Sequence, residues 1–222
     1  MRARKKKWAA EEIVENELII AEGSEHNGKW EHVFENQHPI FVEIGCGMGS
    51  FIVESAKRQP NINFIGLERE KMVIVSGARK IRELNENGGS EPPIKNVRFL
   101  MGDAALLRNI FAQGEVSRLY LNFSDPWARR RKWAKRRLTH RNFLNLYKDI
   151  LGAQKEIHLK TDSRILFEFS LNEFVDNGFQ IRNISLDLHS SLWAEENIMT
   201  EYEAKFAAKG MPIYRVEAYV SN

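Results

Sequence analysis

A single cysteine, Cys46, in 222 residues excludes an internal disulfide and a cysteine-built zinc cluster. No apolar stretch is long enough to cross a bilayer, and the basic start of the chain leads into Glu11, Glu12 and Glu15 rather than an apolar signal core. The sequence therefore predicts a cytoplasmic protein with no membrane partner. The histidines (His26, His32, His38, His140, His158, His189) are scattered without ligand spacing, so no metal is expected and all are read as surface or core residues. Gly-Lys-Ser and Gly-Lys-Thr are absent, which removes the P-loop. Compositional extremes are missing too: 43% hydrophobic and 28% charged residues are globular values that exclude disorder. The length fits one α/β domain with short extensions.

Net charge is only +3, but it is unevenly placed. The run 129–137 holds seven basic residues and no acid, so subtracting it leaves −4; subtracting Arg2, Arg4, Lys5, Lys6 and Lys7 as well leaves −9. An acidic body with two cationic patches is the pattern of nucleic-acid contact, because phosphate binding depends on local charge. A charge run can also be a solvated tract. The internal run differs in following a buried-type strand, Leu119 to Phe123, which Ser124-Asp125-Pro126 must end: proline lacks a ladder donor and holds Asp125 extended.

Residues 1–39 carry no clear sheet signal beyond a short amphipathic helix over 8–17, and are read as an N-terminal extension to a domain spanning 40–222. Apolar positions in that extension are candidates for a homodimer contact. From Ile40 the pattern alternates. Strands are predicted over 40–44, 63–67, 97–101, 119–123 and 156–160, with helices over 50–59, 71–86, 104–110, 139–151 and 163–176 between and after them. Such alternation implies a mostly parallel, doubly wound α/β sheet. Two late strands, 179–188 and 214–220, flank a single helix over 198–209, which predicts an antiparallel edge.

Ligands of such sheets bind outside the carboxyl ends of the strands. Acids gather there: Glu43 in the first strand, then Glu68, Asp103, Asp125 and Asp162 at or just past later strand ends. Gly45, Gly47 and Gly49 form the loop after the first strand, but Ser50 stands where a dinucleotide fingerprint places its third glycine. Pyrophosphate would be repelled by Glu43 and Asp103. S-adenosylmethionine carries an ammonium and a sulfonium and no phosphate, so the acids favour it. Glu68 lies where an acid accepts ribose hydroxyls, and Asp103 is placed for the adenine amino group.

In-line methyl transfer depends on alignment and exclusion of water. A base is required only when the attacking atom holds a proton, and guanine N7 holds none. Asp125 would then stabilise the cationic product and place the guanine amino edge. Trp127 is suited to stack on the base or to pack behind the strand.

Ser124-Asp125-Pro126-Trp127, followed by a basic run ending Lys135-Arg136-Arg137-Leu138-Thr139, resembles the tRNA (guanine-N7)-methyltransferases of the bacterial TrmB type. The likeness continues in Lys160-Thr161-Asp162, in Ile198-Met199-Thr200-Glu201-Tyr202-Glu203, and in Met1-Arg2-x-Arg4 leading to Trp8-Ala9. It implies a class I S-adenosylmethionine-dependent, Rossmann-like fold that forms 7-methylguanosine in the tRNA variable loop. By position it implies that Glu43, Glu68, Asp103 and Asp125 contact the cofactor, with Asp125 also catalytic. It further implies that Arg129, Asp162, Thr200, Glu201, Tyr202 and Glu203 hold substrate, and that 131–136 lies against RNA. With the flanking cation included, the RNA-facing set is Arg130, Arg131, Lys132, Lys135 and Arg136. Two departures stand out: Ala128-Arg129 replaces the family's Pro-Lys, and the segment around Trp133 is one residue longer. Arginine for lysine keeps the charge and changes the geometry. The rival readings are an exocyclic-amine methyltransferase, a silent RNA-binding protein that keeps the arm, and an oxidoreductase, which the acidic loop disfavours.

Overall fold

Ile40–Ile44 is buried at every position, as a strand covered on both faces must be. It is the hub of an eight-stranded sheet in a computed structural model that describes residues 8–88 and 92–220; the basic residues from Arg2 to Lys7 lie outside the described residues. The elements run α1 (Trp8–Glu15), β1 (Ile19–Ile20), α2 (Trp30–Phe34), β2 (Ile40–Ile44), α3 (Ser50–Arg58), β3 (Asn63–Glu68), α4 (Lys71–Glu86) and β4 (Val97–Met101). They continue as α5 (Leu107–Ile110), β5 (Val116–Asn122), α6 (Arg141–Ile150), β6 (Leu151–Thr161), α7 (Arg164–Asp176), β7 (Gln180–Ser185), α8 (Glu201–Ala207) and β8 (Tyr214–Tyr219).

Strand order is β1-β4-β3-β2-β5-β6-β8-β7. From β2 the chain winds outward through β3 to β4 and then returns to β5 on the other side, so the winding reverses between β2 and β5. Strands β1 to β6 pair in parallel, whereas β8 is antiparallel to both β6 and β7. One apolar cluster, built on Trp30, Phe111, Leu144 and Phe167, fills the face covered by α2, α5, α6 and α7. The other, built on Phe51, Phe64, Ile74 and Phe99, lies under α1, α3 and α4.

The segment before Ile40 contributes more than the sequence suggests. Ile19 and Ile20 pair with Phe99 and Leu100 as an edge strand. Trp30 is fully buried, stacks on Phe111 and donates its indole N–H to the Ile110 carbonyl at 3.0 Å. Of the apolar residues expected to serve a second copy, Ile13 is buried on its own chain and Val14 is 84% exposed. Among the described residues no helix is long and apolar enough to cross a membrane.

Candidate active site

Because β2 to β6 run the same way, Glu68, Asp103, Asp125 and Asp162 emerge together along one edge of the sheet, as the strand ends predicted. The glycine loop lies at the centre of that edge. Gly45, Gly47 and Gly49 all have positive φ, at 76°, 55° and 74°, a conformation that side chains oppose. Space adds a second constraint at Gly49, where a Cβ would fall 2.5 Å from the Phe99 ring. Glu68 ties the loop down by accepting from the Gly47 N–H at 3.2 Å, while its other oxygen accepts from the Arg69 and Glu70 amides. Asp103 caps the turn after β4 through the Ala105 N–H and approaches Arg69 Nε at 3.5 Å.

Two cavities open here and share Gly45 and Phe123 as a common wall. The larger, about 810 Å³, is lined by Glu68, Asp103 and Asp125 together with Lys135 and Arg136. The smaller, about 300 Å³, is bounded by Glu43, Gly47, Thr200, Glu201 and Tyr202. The four acids read as a cofactor set are thus divided between adjoining halves of one groove.

Glu43 is 3% exposed; its Oε1 accepts from Asn122 Nδ2 at 2.8 Å, and its Oε2 is buried with no partner. Burial pushes its pKa up to about 8, against the pull of Asn122 and Lys160 and with a further push from Glu68. A buried oxygen left without a donor is costly, and a cationic group in the smaller cavity would supply what it lacks. The residues therefore fit S-adenosylmethionine through its ammonium. The Ser124 hydroxyl, on the wall of the larger cavity, is a second buried polar group without a partner. Cys46 is buried, its thiol pushed well up by burial, and it packs where Gly66 leaves room, so it fills space in the loop.

Asp125 is exposed at the mouth of the larger cavity. Phe123 and Trp127, on either side of it, both have positive φ, at 52° and 45°, so the chain around Asp125 is held in a conformation that costs energy. Tyr202 completes this corner: its ring lies 5.3 Å from that of Phe123. Burial, Asp162 and Asp125 together raise the Tyr202 pKa.

Within the basic run, Arg131–Arg136 forms a 3-10 helix. Trp127 and Trp133 meet edge to face with centroids 6.0 Å apart, and Arg136 lies over both rings, at 4.9 and 5.8 Å, while Arg130 lies 5.2 Å over Trp133. Trp127 and Trp133 thus form an aromatic frame that stacks cations. Arg129, Arg130, Lys132, Lys135 and Arg136 are exposed; the Arg131 side chain lies outside what is described. Arg137 behaves differently. It is buried, donates Nε to the Pro126 carbonyl at 2.7 Å and lies 4.4 Å over Phe169, so the last cation of the run holds the turn that carries Asp125.

Glu203 is also unlike its sequence reading as a substrate-holding group: it is completely buried. It is bonded to Lys160, His189 and Asn197 and closes a capping box with Thr200. His189 and Lys160 therefore belong to the site's support, which sequence spacing did not reveal. His158 sits between Glu156 and Glu217 in a separate cavity of about 490 Å³, where Arg118, Arg182 and Arg215 pair with the two carboxylates.

The fold and the acid-lined groove define the class: a class I, S-adenosylmethionine-dependent methyltransferase. The solved structure of an antibiotic-related methyltransferase overlays it with a TM-score of 0.58 at 18% identity, covering 88% of this chain and 94% of that one, which is a likeness of fold. The family model Methyltransf_4, described as "Putative methyltransferase", matches residues 37–216. A tRNA (guanine-N(7)-)-methyltransferase of Bacillus licheniformis is 49% identical over 98% of both chains, and its counterpart in Bacillus subtilis strain 168 is 47% identical over 98% of both. The chain belongs to the tRNA (guanine-N(7)-)-methyltransferase family.

Proposed function

We propose that this chain methylates N7 of a guanosine in the variable loop of tRNA, forming 7-methylguanosine. The observation that carries the reading is the larger cavity, whose lining combines the cofactor-type acids Glu68 and Asp103 and the RNA-type cations Lys135 and Arg136 with Asp125. Family membership and relatives of the same name across nearly the whole chain support it.

Glu43 takes the cofactor's ammonium, Glu68 its ribose hydroxyls and Asp103 its adenine edge. When bound, the cofactor supplies an electrophilic methyl group on a sulfonium. Arg129, Arg130, Lys132 and Lys135 draw in the RNA backbone by replacing its counterions. Trp127, Phe123 and Tyr202 fence the guanine, with Asp162 and Asp125 beside its amino edge. With the cofactor held by Glu43, Glu68 and Asp103, guanine N7 would take the methyl through its bare lone pair, the sulfonium leaving as a neutral thioether, and no proton has to leave the ring. Asp125 stabilises the positive charge that the guanine acquires, which is electrostatic catalysis without a base.

Asp125→Ala tests this assignment. Single-turnover transfer should fall about a hundredfold or more, the scale for losing one preorganised electrostatic group, while tRNA affinity stays at the wild-type value. Near-normal turnover would refute the role of Asp125.

A further inference from the structure

We propose that Lys160 and Glu203 are positioning residues, a buried ionic pin that sets the wall between the cofactor and the target base. The inference rests on the methyltransferase reading above. Lys160 stands near the end of β6 and is 7% exposed. Its ammonium donates to the Ile198 carbonyl at 2.9 Å, Asn197 Oδ1 at 2.9 Å and Glu203 Oε2 at 2.8 Å. Its three donors are therefore all spent on 197–203, a stretch with no strand of its own to anchor it.

Glu203 answers from the other side. Its Oε1 accepts from Asn197 Nδ2 at 2.7 Å and meets His189 Nε2 at 2.8 Å, and its Oε2 also accepts from the Thr200 N–H at 3.3 Å. Burial alone would raise its pKa, but Lys160, His189 and Asn197 overcome that and hold it below the ordinary range. Burial pulls the Lys160 pKa down, against the pull of Glu203 and Glu43, so each member of the pair depends on the other for its charge. A fully buried carboxylate with these partners cannot reach RNA.

The pin fixes residues that do face the groove. Thr200, Glu201 and Tyr202 wall the smaller cavity opposite Glu43 and Gly47, and Tyr202 places its ring on Phe123 beside Asp125. Glu201 adds an exposed contact to Ser50 and to Lys80 at 3.4 Å, which joins the same wall to the start of α3. Displacing the wall would therefore loosen the cofactor and the base together.

A double-mutant cycle tests the pin, using Glu203→Gln, Lys160→Met and the double variant. S-adenosylhomocysteine affinity is read by calorimetry, kcat and KM for tRNA by transfer assay, and fold by thermal melting. Each single variant should weaken S-adenosylhomocysteine about tenfold and raise KM for tRNA, and the double variant should be no worse than a single, because removing both ions leaves no buried charge unpaired. If a single variant fails to fold, the double variant alone decides, and it should show the same weakening of about tenfold. Independent effects that multiply to about a hundredfold, or wild-type S-adenosylhomocysteine affinity in the folded variants, would overturn the proposal. Binding is read without RNA, so failure of the wild-type protein to methylate tRNA would reject the functional reading and leave the pin standing.

Discussion

Glu43 illustrates how one residue joins folding to ligand binding. Lying inside the sheet with Oε2 unpartnered, it holds a proton at neutral pH, its pKa pushed up to about 8 by burial. A bound ammonium favours the carboxylate, so cofactor binding below pH 8 must expel that proton. Calorimetry of S-adenosylhomocysteine at pH 7 in buffers of different ionisation enthalpy should show close to one proton released, with affinity strengthening as pH rises from about 6 to 7.5. Glu43→Gln should abolish the release and flatten the profile. At this scale the sequence was informative wherever position on a strand was enough. Glu68, Asp103 and Asp125 follow parallel strands, and parallel strands end at one edge. It was uninformative for Lys160 and Glu203, whose burial depends on a contact between segments far apart in the chain.

Among the elements, the basic helix Arg131–Arg136 divides charges that look equivalent in the sequence. Arg130 is exposed and stacked over Trp133, whereas Arg137 is buried against Pro126 and Phe169, and burial lowers its pKa. Arg130→Ala should reduce the salt dependence of tRNA binding by about one phosphate contact. Arg137→Ala should leave that slope unchanged and lower the melting temperature instead, which filter binding across a salt series and thermal melting would distinguish. The strongly patterned elements were legible: strands Ile40–Ile44 and Val97–Met101 and helix Lys71–Glu86 stand where apolar pattern and breakers placed them. Strand β1 was not, because two residues carry no periodicity and Ile19–Ile20 is a strand only through its pairing with β4. The helix predicted over 198–209 begins at Glu201, since Thr200 caps it and the residues before it are taken by Lys160. The strand predicted over 156–160 extends back to Leu151, where it pairs with Val116.

Over the whole molecule, titration of buried carboxylates gives stability two opposed dependences on pH. Glu156 is held down at about 2: burial raises it, but His158 and Arg118 more than compensate, and Glu173, Glu203 and Glu217 are depressed likewise. These groups bind fewer protons folded than unfolded, so their contribution is present above the ordinary value of 4.5 and is lost as pH falls toward 2. Glu43 has the opposite sign. Its contribution is full below 4.5 and is lost as pH rises through about 8. The ligand-free melting temperature should drop steeply in acid and decline gently from pH 6 to 8.5, and Glu43→Gln should remove only the gentle decline.

The same acidic groove and cationic arm lead to a chemical outcome that can be read directly. Incubation with methyl-labelled S-adenosylmethionine and unmodified tRNA, followed by nuclease digestion and mass spectrometry, should place the label in 7-methylguanosine from the variable loop. Label on an exocyclic amine, or unlabelled tRNA beside intact cofactor binding, would contradict the account.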